Sequence, residues 1–137
     1  MILFADPTHG ARSQMAEALL RFLDRRGELT VSSAGTEPAP DLAGVQEILG
    51  EMDVPFNPGR QALRVDMAPD LLVIVCEEGC DACPWLPWAA RVERWPLDDP
   101  ARLSGDARIE ALRAVREQLS DRIQPLLDRD ATQQRRR

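Results

Sequence analysis

Short apolar runs alternate along this chain with longer segments in which apolar residues recur every three or four positions. A short apolar run bounded by polar residues is typical of a buried strand, whereas the longer period is typical of an amphipathic helix. The pattern predicts four strands, at Ile2–Ala5, Leu29–Ser33, Leu71–Val75 and Arg91–Trp95. The uninterrupted run Leu71–Val75 indicates a central parallel strand that is covered on both faces.

Three helices are predicted between and after these strands. Asp41 has the position of an N-cap for the second helix, and Pro125 is expected to kink or shorten the third. The predicted helices cover residues 11 to about 26, 41 to about 52, and 105 to about 128. Strands that alternate with helices favour a single α/β domain, here residues 1–130, in which a four-stranded parallel sheet lies between helices in a three-layer sandwich. We expect the basic end, residues 131–137, to be a frayed tail.

Composition narrows the classes of function. A 137-residue chain with 44% hydrophobic residues can fill the core of one domain, so no metal or disulfide is required for folding. A net charge of −6 argues against non-specific nucleic-acid binding. No apolar run is long enough to cross a bilayer and no signal peptide precedes the first strand, so we expect a cytoplasmic protein without membrane partners. Nothing in the sequence indicates a cofactor.

The segment after the first strand is a candidate anion-binding loop, Asp6-Pro7-Thr8-His9-Gly10-Ala11, which opens into the first helix through Arg12-Ser13. Backbone N–H groups at a helix start point toward a bound anion, and the positive end of the helix dipole favours negative charge there. The planar guanidinium of Arg12 adds a bidentate clamp for phosphate-like oxyanions. In parallel sheets ligands bind at the carboxyl ends of the strands, which is where this loop lies.

This loop resembles the active-site loop of the low-molecular-weight protein tyrosine phosphatases and of their relatives, the thioredoxin-coupled arsenate reductases. The family pattern is a cysteine, five residues, an arginine and a serine, and the segment 12–17 is similar to the reductase version of the helix start. The segments Ser33–Gly35 and Trp95–Ala101 are also similar to family motifs, so the resemblance covers nearly the whole chain. It implies the fold predicted above, a small oxyanion such as arsenate or phosphate as ligand, and a thioredoxin-like reductant as partner.

The chain departs from its family at the nucleophile, because Asp6 stands where the pattern has its cysteine. A carboxylate cannot perform thiol chemistry, and we expect it to occupy the anion site, pair with Arg12 and leave no room for an oxyanion. An aspartyl-phosphate nucleophile is the alternative, and it would need Mg²⁺ or an equivalent. Pro7, Thr8 and His9 also differ from the usual loop. His9 is either a proton carrier or anion contact, or a residue that orders the loop by a hydrogen bond.

Three cysteines, Cys76, Cys80 and Cys83, follow the third strand within eight residues. Three close thiols can bind a soft ion such as As(III) or Zn²⁺, form a redox disulfide, or be vestigial. Cys76 and Cys83 resemble the pair that relays a disulfide outward in the reductases. That relay begins with attack on the nucleophilic cysteine, so Asp6 removes its first step.

The remaining site candidates are Ser13 and Asp99. The resemblance places Ser13 beside the nucleophile and Asp99 at the general acid, with Asp98 as a weaker candidate. Without the resemblance, Ser13 is a polar first-turn residue and the Asp-Asp-Pro segment is a turn. Two classes of function follow: a pseudo-enzyme that acts as a redox- or As(III)-responsive binding module, or an active arsenate reductase or phosphatase with an unusual nucleophile.

Overall fold

A computed structural model describes residues 1–7, 10–35, 41–59, 61–64, 66–77 and 87–135, and the side chains within these ranges up to residue 129. Strands and helices alternate through this part of the chain. In order they are β1 (Ile2–Asp6), α1 (Ala11–Leu23), β2 (Val31–Gly35), α2 (Val45–Gly50), β3 (Leu71–Cys76), β4 (Arg91–Pro96), a 3₁₀ turn (Pro100–Arg102) and α3 (Gly105–Arg135).

The four strands form one parallel sheet in the order β2-β1-β3-β4, which confirms the predicted α/β class. Every residue of β3 is buried, as its continuous apolar run predicts. Because β1 and β3 are neighbours at the centre, the start of the loop after β1 and Cys76 at the end of β3 lie at the same edge of the sheet.

Alternate residues of the central strands point to the two faces of the sheet. Phe4, Val73 and Val75 lie on the face against which α1, α2 and α3 bury their apolar side chains. Leu3 and Ile74 lie on the opposite face, where the described cover comes from irregular segments that contain Leu63, Met67 and Ala89. Full burial of each large apolar side chain contributes roughly 1.5–3 kcal/mol.

The start of α2 corrects one expectation. Asp41 is not its N-cap, because the helix begins at Val45 and the cap position is Gly44. The Asp41 carboxylate instead accepts a hydrogen bond from the Ala43 amide at 3.2 Å and pairs with Arg108 at 2.8 Å. Gly44 has a φ of 89°, and a Cβ there would lie 2.8 Å from Leu112 Cδ1 of α3. The left-handed backbone conformation favours a glycine here, and a larger residue would also have to displace the end of the Leu112 side chain.

Other boundaries differ by a few residues. β2 lies two residues later than predicted, and α1 ends at Leu23 instead of about residue 26. Pro125 does not shorten α3, which runs for 31 residues to Arg135. This helix includes residues 131–135 of the expected tail, and the last two residues lie outside the described part. No helix in the described ranges is both long and apolar enough to span a membrane.

Candidate functional site

Asp6 ends β1 at the mouth of the loop, and its side chain is completely buried. Its carboxylate accepts hydrogen bonds from the Gly10 amide, at 3.0 Å to Oδ1 and 3.2 Å to Oδ2, and from the Ser13 amide, at 3.1 Å to Oδ2. Charge-assisted bonds of this kind are among the stronger ones in proteins. The loop amides therefore bind a negatively charged group that belongs to the chain itself.

The same carboxylate satisfies the start of α1. The first helical amides lack partners within a helix, and Gly10, at the N-cap, has no side chain with which to bind them. Asp6 accepts the hydrogen bond from Ser13, the third helical residue, that an N-cap side chain normally accepts. Its negative charge also lies at the positive end of the helix dipole. Asp6 thus serves as a remote cap of α1.

Arg12 is buried in the first turn of α1, with only 5% of its side chain exposed. Its Nη1 donates to the Leu97 carbonyl at 3.1 Å, and its Nη2 lies 3.8 Å from Asp99 Oδ2. These contacts join the guanidinium to the segment after β4. The ion pair between Arg12 and Asp6 stays a prediction.

The two acidic residues after β4 differ in their surroundings. Asp99 is partly buried, faces Arg12, and accepts a hydrogen bond from the Ala101 amide at 3.0 Å, which begins the 3₁₀ turn. Asp98 is exposed. Asp99 therefore has both of the arrangements considered from the sequence, a turn and a position beside the loop arginine.

Cys76 ends β3 and is buried, with its Sγ 3.6 Å from the Glu77 carbonyl. Its own carbonyl accepts a hydrogen bond from the Leu97 amide at 2.9 Å. Leu97 therefore connects the strand that carries Cys76 to the guanidinium of Arg12. Cys80 and Cys83 lie outside the described residues, so their predicted disulfide or metal site stays a prediction.

The rest of the loop is described in part. Pro7, Gly10 and Ala11 are buried, and the Ser13 hydroxyl donates to the Gly10 carbonyl at 3.4 Å. Thr8 and His9 lie outside the described residues. Within the described ranges, no group of three His, Cys, Asp or Glu side chains is arranged to hold a metal ion.

Comparison with known proteins decides the family. Residues 1–136 match the model of the family described as low molecular weight phosphotyrosine protein phosphatase. The chain belongs to this family.

Several proteins similar in sequence to this chain are arsenate reductases. The chain is 34% identical over 127 residues to arsenate reductase 1 of Staphylococcus haemolyticus and 28% identical over 128 residues to the arsenate reductase of Shouchella clausii, covering 90% of this chain and 91% of each relative. The crystal structure of an arsenate reductase from Archaeoglobus fulgidus superposes with a TM-score of 0.70 at 28% identity, over 90% of this chain and 98% of that one. The phosphatase-type fold extends over nearly the whole chain.

Two residues of this phosphatase-family site were given no role by the sequence. Leu97 acts through its backbone, which no side-chain pattern can indicate. Gln14 is buried on α1, where its amide donates to the Gly59 carbonyl at 2.9 Å and accepts from the Gly59 amide at 3.0 Å. Gln14 shares its helix face with the charged residues Glu17 and Arg21, so no local pattern indicated its two bonds to Gly59.

Proposed function

We propose that this protein is an arsenate reductase-like member of its family whose oxyanion loop is closed by Asp6, and that it acts as a redox- or As(III)-responsive binding module rather than as an enzyme. The burial of the Asp6 carboxylate on the amides of Gly10 and Ser13 carries the proposal. In this interpretation the carboxylate is an internal substitute for the oxyanion.

The electrostatics of the loop support a closed state. An incoming dianion would have to displace Asp6 from its amide donors or share them with it. At about 4 Å, repulsion between two unit charges costs about 4 kcal/mol at an effective dielectric constant of about 20. The Gly10 and Ser13 amides already donate to Asp6, so arsenate or phosphate has to compete for these donors with a carboxylate that is tethered to the chain.

The chemistry of position 6 supports a non-catalytic role. Reduction of arsenate by this family starts from a thiolate, and a carboxylate cannot form the sulfur–sulfur bond that the relay cysteines then exchange. Cys76 keeps its place at the end of β3. Three thiols within eight residues suit trivalent arsenic, a soft ion that prefers sulfur ligands.

Restoring the nucleophile tests the closed loop. Wild-type protein and Asp6→Cys are assayed for hydrolysis of a generic aryl phosphate with and without Mg²⁺, and for arsenate reduction with a thioredoxin-type reductant. We expect the wild-type protein to be inert and Asp6→Cys to turn over the aryl phosphate, because the Gly10 and Ser13 amides that bind the carboxylate would then be free to bind the phosphoryl oxygens.

Asp66→Cys is the matched control, since it adds a thiol at an exposed aspartate and should remain inert. Turnover by the wild-type protein would overturn the proposal, and activity that depends on Mg²⁺ would make Asp6 an aspartyl-phosphate nucleophile.

The thiols are tested separately. Arsenite binding to three thiols releases water as three As–S bonds replace three As–O bonds, and the As–S bonds absorb in the ultraviolet. We expect the reduced protein to bind one arsenite, or to form a disulfide reversibly when a mild oxidant is added, and Cys76→Ser to weaken either response. Asp6→Asn should respond like the wild type. Indifference of the reduced protein to both reagents would show the cysteines to be vestigial.

A further inference from the structure

A cleft lies along α1, on the side of the segment that contains Pro55, Phe56 and Asn57. Its volume is about 460 Å³, within the range of roughly 300–1,000 Å³ that is usual for sites of small organic ligands. None of the loop residues Asp6, Arg12 or Asp99 lines it. The cleft is therefore separate from the site described above.

The two walls of this cleft are fixed to each other. Gln14 of α1 and Gly59 of the facing segment exchange two hydrogen bonds, of 2.9 and 3.0 Å. The rings of Phe22 and Phe56 line the cleft, and Phe22 is 42% exposed. A pocket with fixed walls and aromatic lining loses little freedom on binding.

The charges in the cleft are unequally exposed. The Glu17 side chain is only 20% exposed, and burial raises the pKa of its carboxyl in spite of Arg21 and of hydrogen bonds from Ser33. Arg21 is 60% exposed, its Nη1 lies 3.5 Å from Glu17, and its Nη2 donates to the Val31 carbonyl at 2.8 Å. The carboxylate thus lies deeper than the cation that pairs with it.

We propose that this cleft binds a small organic cation with an aromatic or apolar body. Its ammonium or guanidinium group pairs with Glu17, and its body lies against Phe22 and Phe56, whose ring faces attract cations. The two further charged residues of the lining, Asp24 and Arg25, carry opposite charges and cancel, so the preference for a cation rests on the greater depth of Glu17 relative to Arg21. Asp24 accepts a hydrogen bond from the Leu29 amide at 3.0 Å, and Arg25 is exposed. The inference does not depend on the state of the Asp6 loop.

Three probes of similar shape test the sign of the charge. 2-Phenylethylamine, 2-phenylethanol and phenylacetate are titrated into the wild-type protein, with calorimetry for affinity and NMR shifts of the Phe22 and Phe56 rings for location. We expect the amine to bind saturably, about tenfold tighter than the alcohol, a difference of about 1.4 kcal/mol, and the carboxylate to bind least. Glu17→Gln should abolish the preference for the amine.

Glu47→Gln is the matched control, because Glu47 is exposed and does not line the cleft. The inference is overturned if the alcohol binds as tightly as the amine, if phenylacetate binds more tightly, or if the shifts lie away from the two rings. Since the probes are compared on the wild-type protein, the result stands even if Glu17→Gln fails to fold.

Discussion

The Asp6 carboxylate combines two roles that are usually held by different groups. It terminates the central strand β1 and also accepts the hydrogen bonds of the amides at the start of α1. A bound anion in an open loop would accept these bonds instead. Replacement of Asp6 therefore has two effects at once. It changes the stability of the protein, and it leaves the Gly10 and Ser13 amides available to an external anion.

Asp6→Ala separates these two effects. We expect the variant to lose about 1–3 kcal/mol of unfolding free energy, because buried amides lose their acceptor. Phosphate, sulfate or arsenate should restore part of this loss by binding only the folded state, whereas the same salts should leave the wild type unchanged at matched ionic strength. The measurement is the thermal midpoint against anion concentration.

Asp66→Ala, at an exposed ion pair, is the control for this series and should change stability by no more than about 1 kcal/mol, with or without anions. Equal anion stabilisation of the wild type and Asp6→Ala would mean that the natural loop already binds oxyanions.

At the residue scale, the sequence identifies the position of the loop, but it does not identify the partners of the loop side chains. The spacing from Asp6 to Arg12 and the polar segment between them identify the loop because a helix start needs local donors and acceptors. The hydrogen bond from Arg12 goes to Leu97, which is 85 positions away in sequence. No local pattern indicates such a partner, since it depends on the order of the strands.

At the scale of elements, α1 and the segment after α2 are joined by the paired hydrogen bonds of Gln14 and Gly59. Residues 55–59 lack regular secondary structure, so no helix or strand ladder holds them. Gln14 therefore holds this segment in place for the cleft described above.

Gln14→Leu keeps the side-chain size and removes both bonds. We expect a loss of about 1–3 kcal/mol, because the Gly59 amide and carbonyl lose their partners, and faster hydrogen exchange at Gly59. Gln124→Leu is the control, since Gln124 bonds an exposed neighbour on α3 and should change stability by less than about 0.5 kcal/mol. Unchanged exchange at Gly59 would contradict the role assigned to Gln14.

The boundaries of the elements show where local patterns fail. Asp41 and the residues after it have the composition of a helix start, yet α2 begins at Val45. The residue before the helix is Gly44, which has a left-handed backbone and lies against Leu112 on α3, and this tertiary contact has no local signal. α3 likewise continues past Pro125, because the packing of Ile123 and Leu126 in the core holds the helix on both sides of the proline.

At the scale of the whole molecule, ion pairs join α3 to the α2 region. Arg113 and Arg116 hydrogen-bond Glu51 and lower the pKa of its carboxyl to about 2. Arg108 lowers the pKa of Asp41 in the same way. A carboxyl whose pKa is lower in the folded state contributes stability above its unfolded value, near pH 4, and loses it as the pH falls toward its folded value.

We therefore expect the thermal midpoint to fall between about pH 5 and pH 2, more steeply at low than at high ionic strength. Glu51→Gln should flatten this fall, with Glu47→Gln on α2 as the matched control. The contribution of Glu17 to the pH dependence of stability has the opposite sign. Burial raises the pKa of its carboxyl, so protonation in acid favours the folded protein. A profile identical in wild type and Glu51→Gln would show that these exposed pairs contribute nothing measurable.

The overall architecture was the most predictable level. The all-apolar β3 run identifies a central strand, and alternation of strands with helices indicates a parallel sheet, because the period of the pattern records which faces are buried. The strand order could not be read locally, and it is the strand order that places β1 beside β3 and brings Asp6 and Cys76 to one edge.

Leu97 connects two parts of the site at this end of the sheet, the end of β3 and the start of α1. Its amide is anchored to the Cys76 carbonyl and its carbonyl to Arg12, so a single residue belongs to both the thiol strand and the loop helix. This shared anchor is a physical connection along which the two sites could be coupled, and any such coupling is reciprocal. If oxidation moves the end of β3, the affinity of the loop for an anion changes with it, and a bound anion then changes the redox potential of the thiol by the same free energy. The thiol state is therefore a variable that every measurement on the loop must fix.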